Sequence, residues 1–478
     1  MKKLSFILGF SFLAIMTFGQ NTANVSQTGD NGQANITQGG GDLNNVKITQ
    51  VETATTLPVG NQVATAKQTG TSNVATINQT ETGDGSHTTN NAYIEQIGLT
   101  NTSNQNTYAP GYNSGQSVWG YQNGEYNTLN QTWQAGYTNS FNASMTGKRN
   151  HVIQGWKANN SHGYVTIVGD DNHASQGLYN DNEGYGIGIK IDQTGSNNDG
   201  IQEYRGGAQG HNNVGIIKQN LDNNIATQTV NGFDVYANID QDGYSNSAYQ
   251  LITGNNNFSN LKYIEVKQKG NQNISDQQVL GNSNQASLIQ TGDENESRIK
   301  EIGDLNIFKG EQLGNINLIA GLDADCAPTL YGVLQNGIKV DVSQKGNLNK
   351  LYFNTAGNLK VIQNNTGTDM VGNLIKYTQT AAGAVELNQI GDKNTMLVKN
   401  TSSELVMDVD LDQIGNGNNI GRDYVDGLPT KCALFAGKHL NVDQVGNMNS
   451  LNLDSTTAGA IVDVSQVGNK NWSSVVQH

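Results

Sequence analysis

The sequence predicts an all-β chain, a β-solenoid of stacked strand-turn-strand rungs with about 22 residues per rung in two half-units of about 11. The first observation behind this is a motif, Gln-x-Gly-x-x-Asn, written fourteen times, beginning at Gln68, Gln96, Gln122, Gln134, Gln193, Gln241, Gln268, Gln290, Gln312, Gln344, Gln389, Gln413, Gln444 and Gln466. The second is alternation with period two between copies, as in Asn73, Ala75, Ile77, Gln79 and in Asn284, Ala286, Leu288, Gln290. The third is composition: 35% hydrophobic residues and 7% aromatics are too few for a conventional core of this length. Four prolines and 14% charged residues are too few for a solvated tail.

Between Gln268 and Gln312 the motif position recurs every 11 residues, occupied in turn by Gln268, Val279, Gln290, Glu301 and Gln312. Turn glycines stand two residues on, Gly270, Gly292 and Gly314 among them, and asparagines five on, including Asn273, Asn295 and Asn317. Alternation at 11 inside a strict 22 gives two half-units per rung. Period two is a strand, so Asn, the small or aliphatic residues and the closing Gln share one side. Glycine then supplies positive φ for the turn, and a β-arch lets each strand pair with its copy one rung away, about 4.8 Å along the axis. Inward amides are affordable only in that arrangement, because stacked Gln and Asn donate and accept along the axis as ladders. The mature chain makes roughly 17 to 20 rungs, about 80 to 95 Å of solenoid at strand spacing.

Residues 1–19 read as a signal peptide: Lys2 and Lys3, an apolar run from Leu4 to Phe18, and small Thr17 and Gly19 before the expected cut near Gly19/Gln20. Residues 20–478 are repeat solenoid. Within it, residues 92–205 are eroded and rich in Tyr and Trp, and loop insertions fall near 318–338 and 420–440. The net charge of −14, from 27 basic and 41 acidic residues without basic clusters, argues against nucleic acid as a partner. No catalytic constellation and no cofactor motif is present. The glycines recur at turn spacing rather than once before a helix, and Asp170, Asp171, Asp323 and Asp325 sit where Asp makes its own turn contacts. The expectation is therefore a structural protein and not an enzyme.

Gln68-Thr-Gly70 followed by Asn73-Val-Ala75-Thr-Ile77-Asn-Gln79 resembles the curlin repeat of curli subunits. So does Gln466-Val-Gly468-Asn-Lys-Asn471 leading through Ser473 and Val475 to Gln477. The resemblance recurs from about Gln27 to Gln477. It implies an extracellular functional amyloid that polymerises with itself into surface fibres, supporting adhesion and biofilm matrix. It also implies a minor nucleator subunit and a curli-type outer-membrane secretion apparatus as partners. Curli major subunits are much shorter and carry a Gly-rich leader, whereas here repeat-like sequence begins at Val25-Ser-Gln27-Thr-Gly29. The repeat runs on to Val475-Val-Gln477, so an uncovered strand edge is expected to template the next chain. The rival expectation is a monomeric solenoid whose outward rows of Thr, Asn and Tyr bind polysaccharide or ice.

Two side features remain. His151, His162 and His173 fall 11 apart, each directly after an inward Asn-type position. They point outward, with His151 and His173 on one face of neighbouring rungs roughly 5 Å apart. Two imidazoles so placed could share a transition metal, but drift of an exposed repeat position is the simpler reading, and no metal site is expected. Cys326 and Cys432 lie in the two insertions, beside Pro328 and Pro429. Two cysteines in an exported chain suggest a disulfide. About four rungs, some 19 Å, separate them, against about 7 Å for bonded Cα atoms, so an internal clamp and a bond between subunits both stay open.

Overall fold

The computed structural model describes residues 20–477 apart from residues 30, 54–60, 83–88, 111–114, 135–138, 158–159, 181–187, 207–212, 233, 258–263, 323–327, 330–331, 336–338, 355–358, 366–371, 380–383, 401–407, 421, 426–427, 432, 436–439 and 456–460. The expected signal peptide and both cysteines fall outside the described residues. Every described element is a β-strand, and the fold is the β-solenoid that the repeat predicts. The chain divides into two compact units, Met1–Gly177 and Leu178–His478.

In the first unit consecutive strands belong to alternate sheets. One sheet stacks Thr22–Thr28, Asn45–Glu52, Val74–Thr82, Thr102–Pro110, Thr128–Gln134 and His151–Lys157, all parallel. The other stacks Gly32–Gly39, Gln62–Thr71, Asn90–Leu99, Ser117–Glu125, Ser140–Lys148 and His162–Val168. Gln27, Gln50 and Gln79 stand in register, as do Gln38, Gln68, Gln96 and Gln122. Parallel in-register stacking follows from the repeat: only a match of like with like puts every amide beside an amide and every aliphatic beside an aliphatic. The apolar part of the core is thin, built from Val46, Ile48, Ala64, Ala66, Ala75, Ile77, Ala92 and Ile94 on the two facing inner surfaces.

The eroded, aromatic stretch keeps the same registers. Trp133 and Trp156 point inward and are buried, whereas Trp119 lies on the outer face. Trp156 packs on Phe141 with ring centroids 4.4 Å apart. Space for it comes from Gly163, the in-register partner of Phe141, where a Cβ would sit 2.4 Å from the indole.

In the second unit each sheet holds twelve rungs among the described residues, Asp199–Gly206 to Trp472–Gln477 in one and Gly188–Thr194 to Val462–Val467 in the other. With six in the first unit, and with strand His173–Asn180 counted in the first of these sheets, the described strands give nineteen rung positions in one sheet and eighteen in the other. The step between in-register partners is 22 residues through the regular array, as from Gln268 to Gln290. Elsewhere it varies, from 19 between Gln344 and Gln363 to 32 between Gln312 and Gln344, because turns and insertions absorb length without disturbing the ladder.

The two insertions leave the same sheet of the stack. Each splits a strand of one sheet in mid-course. Strand Glu296–Ile302 pairs first with Leu318 and Ile319 and then with Gly332–Gln335. Strand Thr395–Asn400 likewise pairs with Asn419 and Ile420 and then with Ala433–Phe435. The second excursion folds as a small antiparallel hairpin, Arg422–Val425 with Leu428–Lys431. A parallel solenoid tolerates this because the two half-strands still satisfy the neighbouring rung.

Candidate functional site

The turns show how the motif works. Gly292 has φ +113°, and a Cβ there would lie 2.2 Å from the carbonyl oxygen of Gly314 in the next rung. The close approach of stacked turns, not only the dihedral, therefore demands glycine. Two residues on, Glu294 also has positive φ, as do Gln272, Leu305, Ile316 and Leu348 at equivalent positions. Between them an Asn or Asp caps the preceding rung: Asn271 N donates to Asp293 Oδ1 at 2.7 Å, and Asp293 N to Asn315 Oδ1 at 2.7 Å. The inward Asn then closes the turn. Asn295 donates its backbone N (3.0 Å) and Nδ2 (3.1 Å) to Asn273 Oδ1, and Nδ2 also to the Gly314 carbonyl at 2.7 Å. Asn317 repeats this on Asn295.

The closing glutamines form the main column. Gln268 Nε2 donates to Gln290 Oε1 at 2.9 Å, Gln290 to Gln312 at 2.8 Å, and Gln312 to Gln344 at 2.9 Å. Further along, Gln466 donates to Gln444 at 2.9 Å and Gln444 to Gln413 at 3.1 Å, so the polarity reverses between Gln389 and Gln413. Each amide also reaches a backbone carbonyl, as Gln290 does to Ile274 at 3.1 Å. Amides inside the column, such as Gln290, thus have both ends satisfied, which is what permits a polar core. In the last described rung, Asn471 donates its backbone N to Asn449 Oδ1, Gly468 N donates to Val445 O, and Gln466 Oε1 is a buried acceptor without a partner. Gln477 closes strand Trp472–Gln477, and its side chain is outside the described residues.

The motif alone misses a second ladder. In the alternate sheet of the first unit the column moves from the closing position, Gln27–Gln50–Gln79, to a more central one, Gln105–Gln131–Gln154–Gln176. Trp133 and Trp156 take the vacated closing position. In the second unit Gln202, Gln228, Gln250 and Gln277 form the equivalent column at 3.0 Å per step. The signal was available: a Gln four residues after the inward Asn, as in Asn127 to Gln131 and Asn224 to Gln228. This column stops where Ile299 stands opposite Gln277, leaving Gln277 Nε2 buried and unpartnered. One position further, Glu301 faces Val279 with both carboxylate oxygens unpartnered, and complete burial pushes its pKa well above the carboxylate range.

On the outer surface, His151 and His173 stand on neighbouring rungs with ring centroids 5.4 Å apart and planes tilted by 35°. His162 is exposed on the other sheet. Burial, and secondarily the neighbouring His173, lowers the His151 pKa. A second outward group gathers aromatic rings: Tyr93 and Trp119 at 6.0 Å and Trp119 and Tyr121 at 6.1 Å, with Lys67 Nζ 5.3 Å from the Tyr93 centroid. Among the described residues no cluster of three or more His, Cys, Asp or Glu is arranged to hold a metal ion. Among the described residues no helix is long and apolar enough to cross a membrane. A scan against protein-family models and a search of curated proteins each found no match.

Proposed function

We propose that this chain is an exported structural subunit that polymerises end to end into curli-like extracellular amyloid fibres, serving adhesion and biofilm matrix. The observation that carries the reading is the parallel, in-register stacking of the rungs, like residue on like residue. At the last described rung the Asn and turn Asx columns continue with the same contacts as the rungs before it, and Gln466 Oε1 stands as a buried acceptor without a partner. A second copy stacked in register would extend the main-chain and Asn columns with contacts of the kind already present, and turning over one Gln amide would continue the Gln column. The resemblance of the half-unit to the curlin repeat adds export by the N-terminal signal, a curli-type secretion apparatus and a nucleator as the expected partners. Fibres seen by electron microscopy of the purified mature chain, with reflections near about 4.7 and 10 Å, would support the reading.

A second reading, a monomeric solenoid binding polysaccharide or ice by an outward face, draws on the Tyr93, Trp119 and Tyr121 group. Sedimentation across concentration separates the two. A β-rich chain that stays monomeric at high concentration favours the second.

A further inference from the structure

His151 opens strand His151–Lys157, and its backbone N donates to the Asn172 carbonyl at 2.8 Å, which fixes its strand against the start of His173–Asn180. The two imidazoles are therefore held by main-chain hydrogen bonds, not by a mobile loop. Both rings are partly exposed and open to solvent on one side. Their centroids are 5.4 Å apart. A ring nitrogen bonds zinc at about 2.0–2.1 Å with tetrahedral angles, which places two ligating ring centroids about 5 Å apart. The observed separation thus matches that of a ligand pair.

The surroundings favour a cation. The next position in the same outward row is Thr128, an uncharged residue. The cations in the adjoining turns are already engaged, Arg149 with Asp171 and Lys148 with Glu125 at 3.1 Å. No third side chain from the set of His, Cys, Asp and Glu joins the pair among the described residues, so water fills the remaining positions.

We propose that His151 and His173 form a two-imidazole, water-completed site for a divalent transition ion of the zinc and copper class, built into the outer face by the rung spacing. His162, in the same repeat phase but on the opposite sheet, takes no part and supplies the control.

Titration calorimetry of the full mature chain with zinc chloride, in a non-chelating buffer at pH 7.5, tests this. The expected result is one zinc per chain in the tightest class of sites. Its affinity should fall at least about tenfold in His151→Gln and in His173→Gln, and stay unchanged in His162→Gln. Circular dichroism checks that the variants keep their β signal. A measurement on the unaltered chain stands apart from any folding defect: copper(II) added at one equivalent should give an electron paramagnetic resonance spectrum with two imidazole nitrogens. No zinc binding, an isotherm unchanged by both substitutions, equal losses in His162→Gln, or a copper spectrum with a single imidazole nitrogen would each overturn the site.

Discussion

Replacing Gln290 by Ala removes three hydrogen bonds at once. Its Nε2 donates to Gln312 Oε1 at 2.8 Å and to the Ile274 carbonyl at 3.1 Å, and its Oε1 accepts from Gln268 Nε2 at 2.9 Å. Gln268 Nε2 keeps the Ser247 carbonyl at 3.0 Å, so the donor above is not orphaned. Gln312 Oε1 has no such substitute among the described contacts and is left as a buried acceptor. At about 0.5 to 1.5 kcal/mol per bond, with the orphaned acceptor adding to the upper part of that range, the loss is about 2 to 4 kcal/mol. The neighbouring Ile289 points outward and is only partly buried. Ile289→Ala then costs about 1 kcal/mol, a fraction of the value for full burial. In a repeat stack the effect is local, so the assay is native-state hydrogen exchange along Gln285–Thr291 and the rungs on either side. Gln290→Ala should speed exchange there by roughly a hundredfold, since each 1.4 kcal/mol is about a factor of ten, and Ile289→Ala by less than about tenfold. Equal effects, or a larger one at Ile289, would show that the ladders contribute little and would remove the basis of the fibre reading.

Glu301→Val should stabilise strand Glu296–Ile302, by about 1 to 3 kcal/mol at pH 8, because it removes a buried carboxyl with no partner beside Val279. The folded pKa lies above the unfolded one, so in the parent chain this group's contribution is fully present below the unfolded pKa of about 4.3 and is lost as pH rises towards the folded pKa. The gain from the substitution should accordingly shrink on acidification to pH 4, and a gain of the same size at both pH values in thermal melts would contradict the burial argument. Ile316 holds φ +59°, unfavourable for a β-branched residue, and Ile316→Gly should raise local stability by up to about 1 to 2 kcal/mol in the same exchange experiment. A loss there would mean that its side chain packs better than its backbone suffers. Gly163→Ala should destabilise the rung by about 1 to 3 kcal/mol, because the new Cβ falls 2.4 Å from the Trp156 indole. Trp156→Leu in the same chain should restore most of the loss.

Much of the fold was legible because a repeat reports its own geometry. The Gln-x-Gly-x-x-Asn spacing, the alternation and the step of 22 fix strand, turn and stacking together, since a chain that repeats can bury its polar amides only beside copies of themselves. The outward pairing of His151 and His173 was readable for the same reason: residues in phase one rung apart share a face. The eroded residues 92–205 hid more. Their Gln column sits at a different inward position, and Trp133 and Trp156 replace amides without a change of period, so a motif tied to one position loses the ladder there.

The sequence by itself determined the architecture, the inward amides and the need for glycine in the turns, because those depend on local periodicity and on what a buried amide requires. Tertiary structure alone decided what each rung meets in its neighbour. Whether Gln277 continues a column or ends it depends on Ile299, whether Trp156 fits depends on Gly163, and whether an insertion leaves from an edge or from mid-strand depends on where the chain resumes its register. These are contacts between residues on different strands, and loops of variable length separate them. Periodicity says that partners exist; only the assembled stack says which residue fills each place.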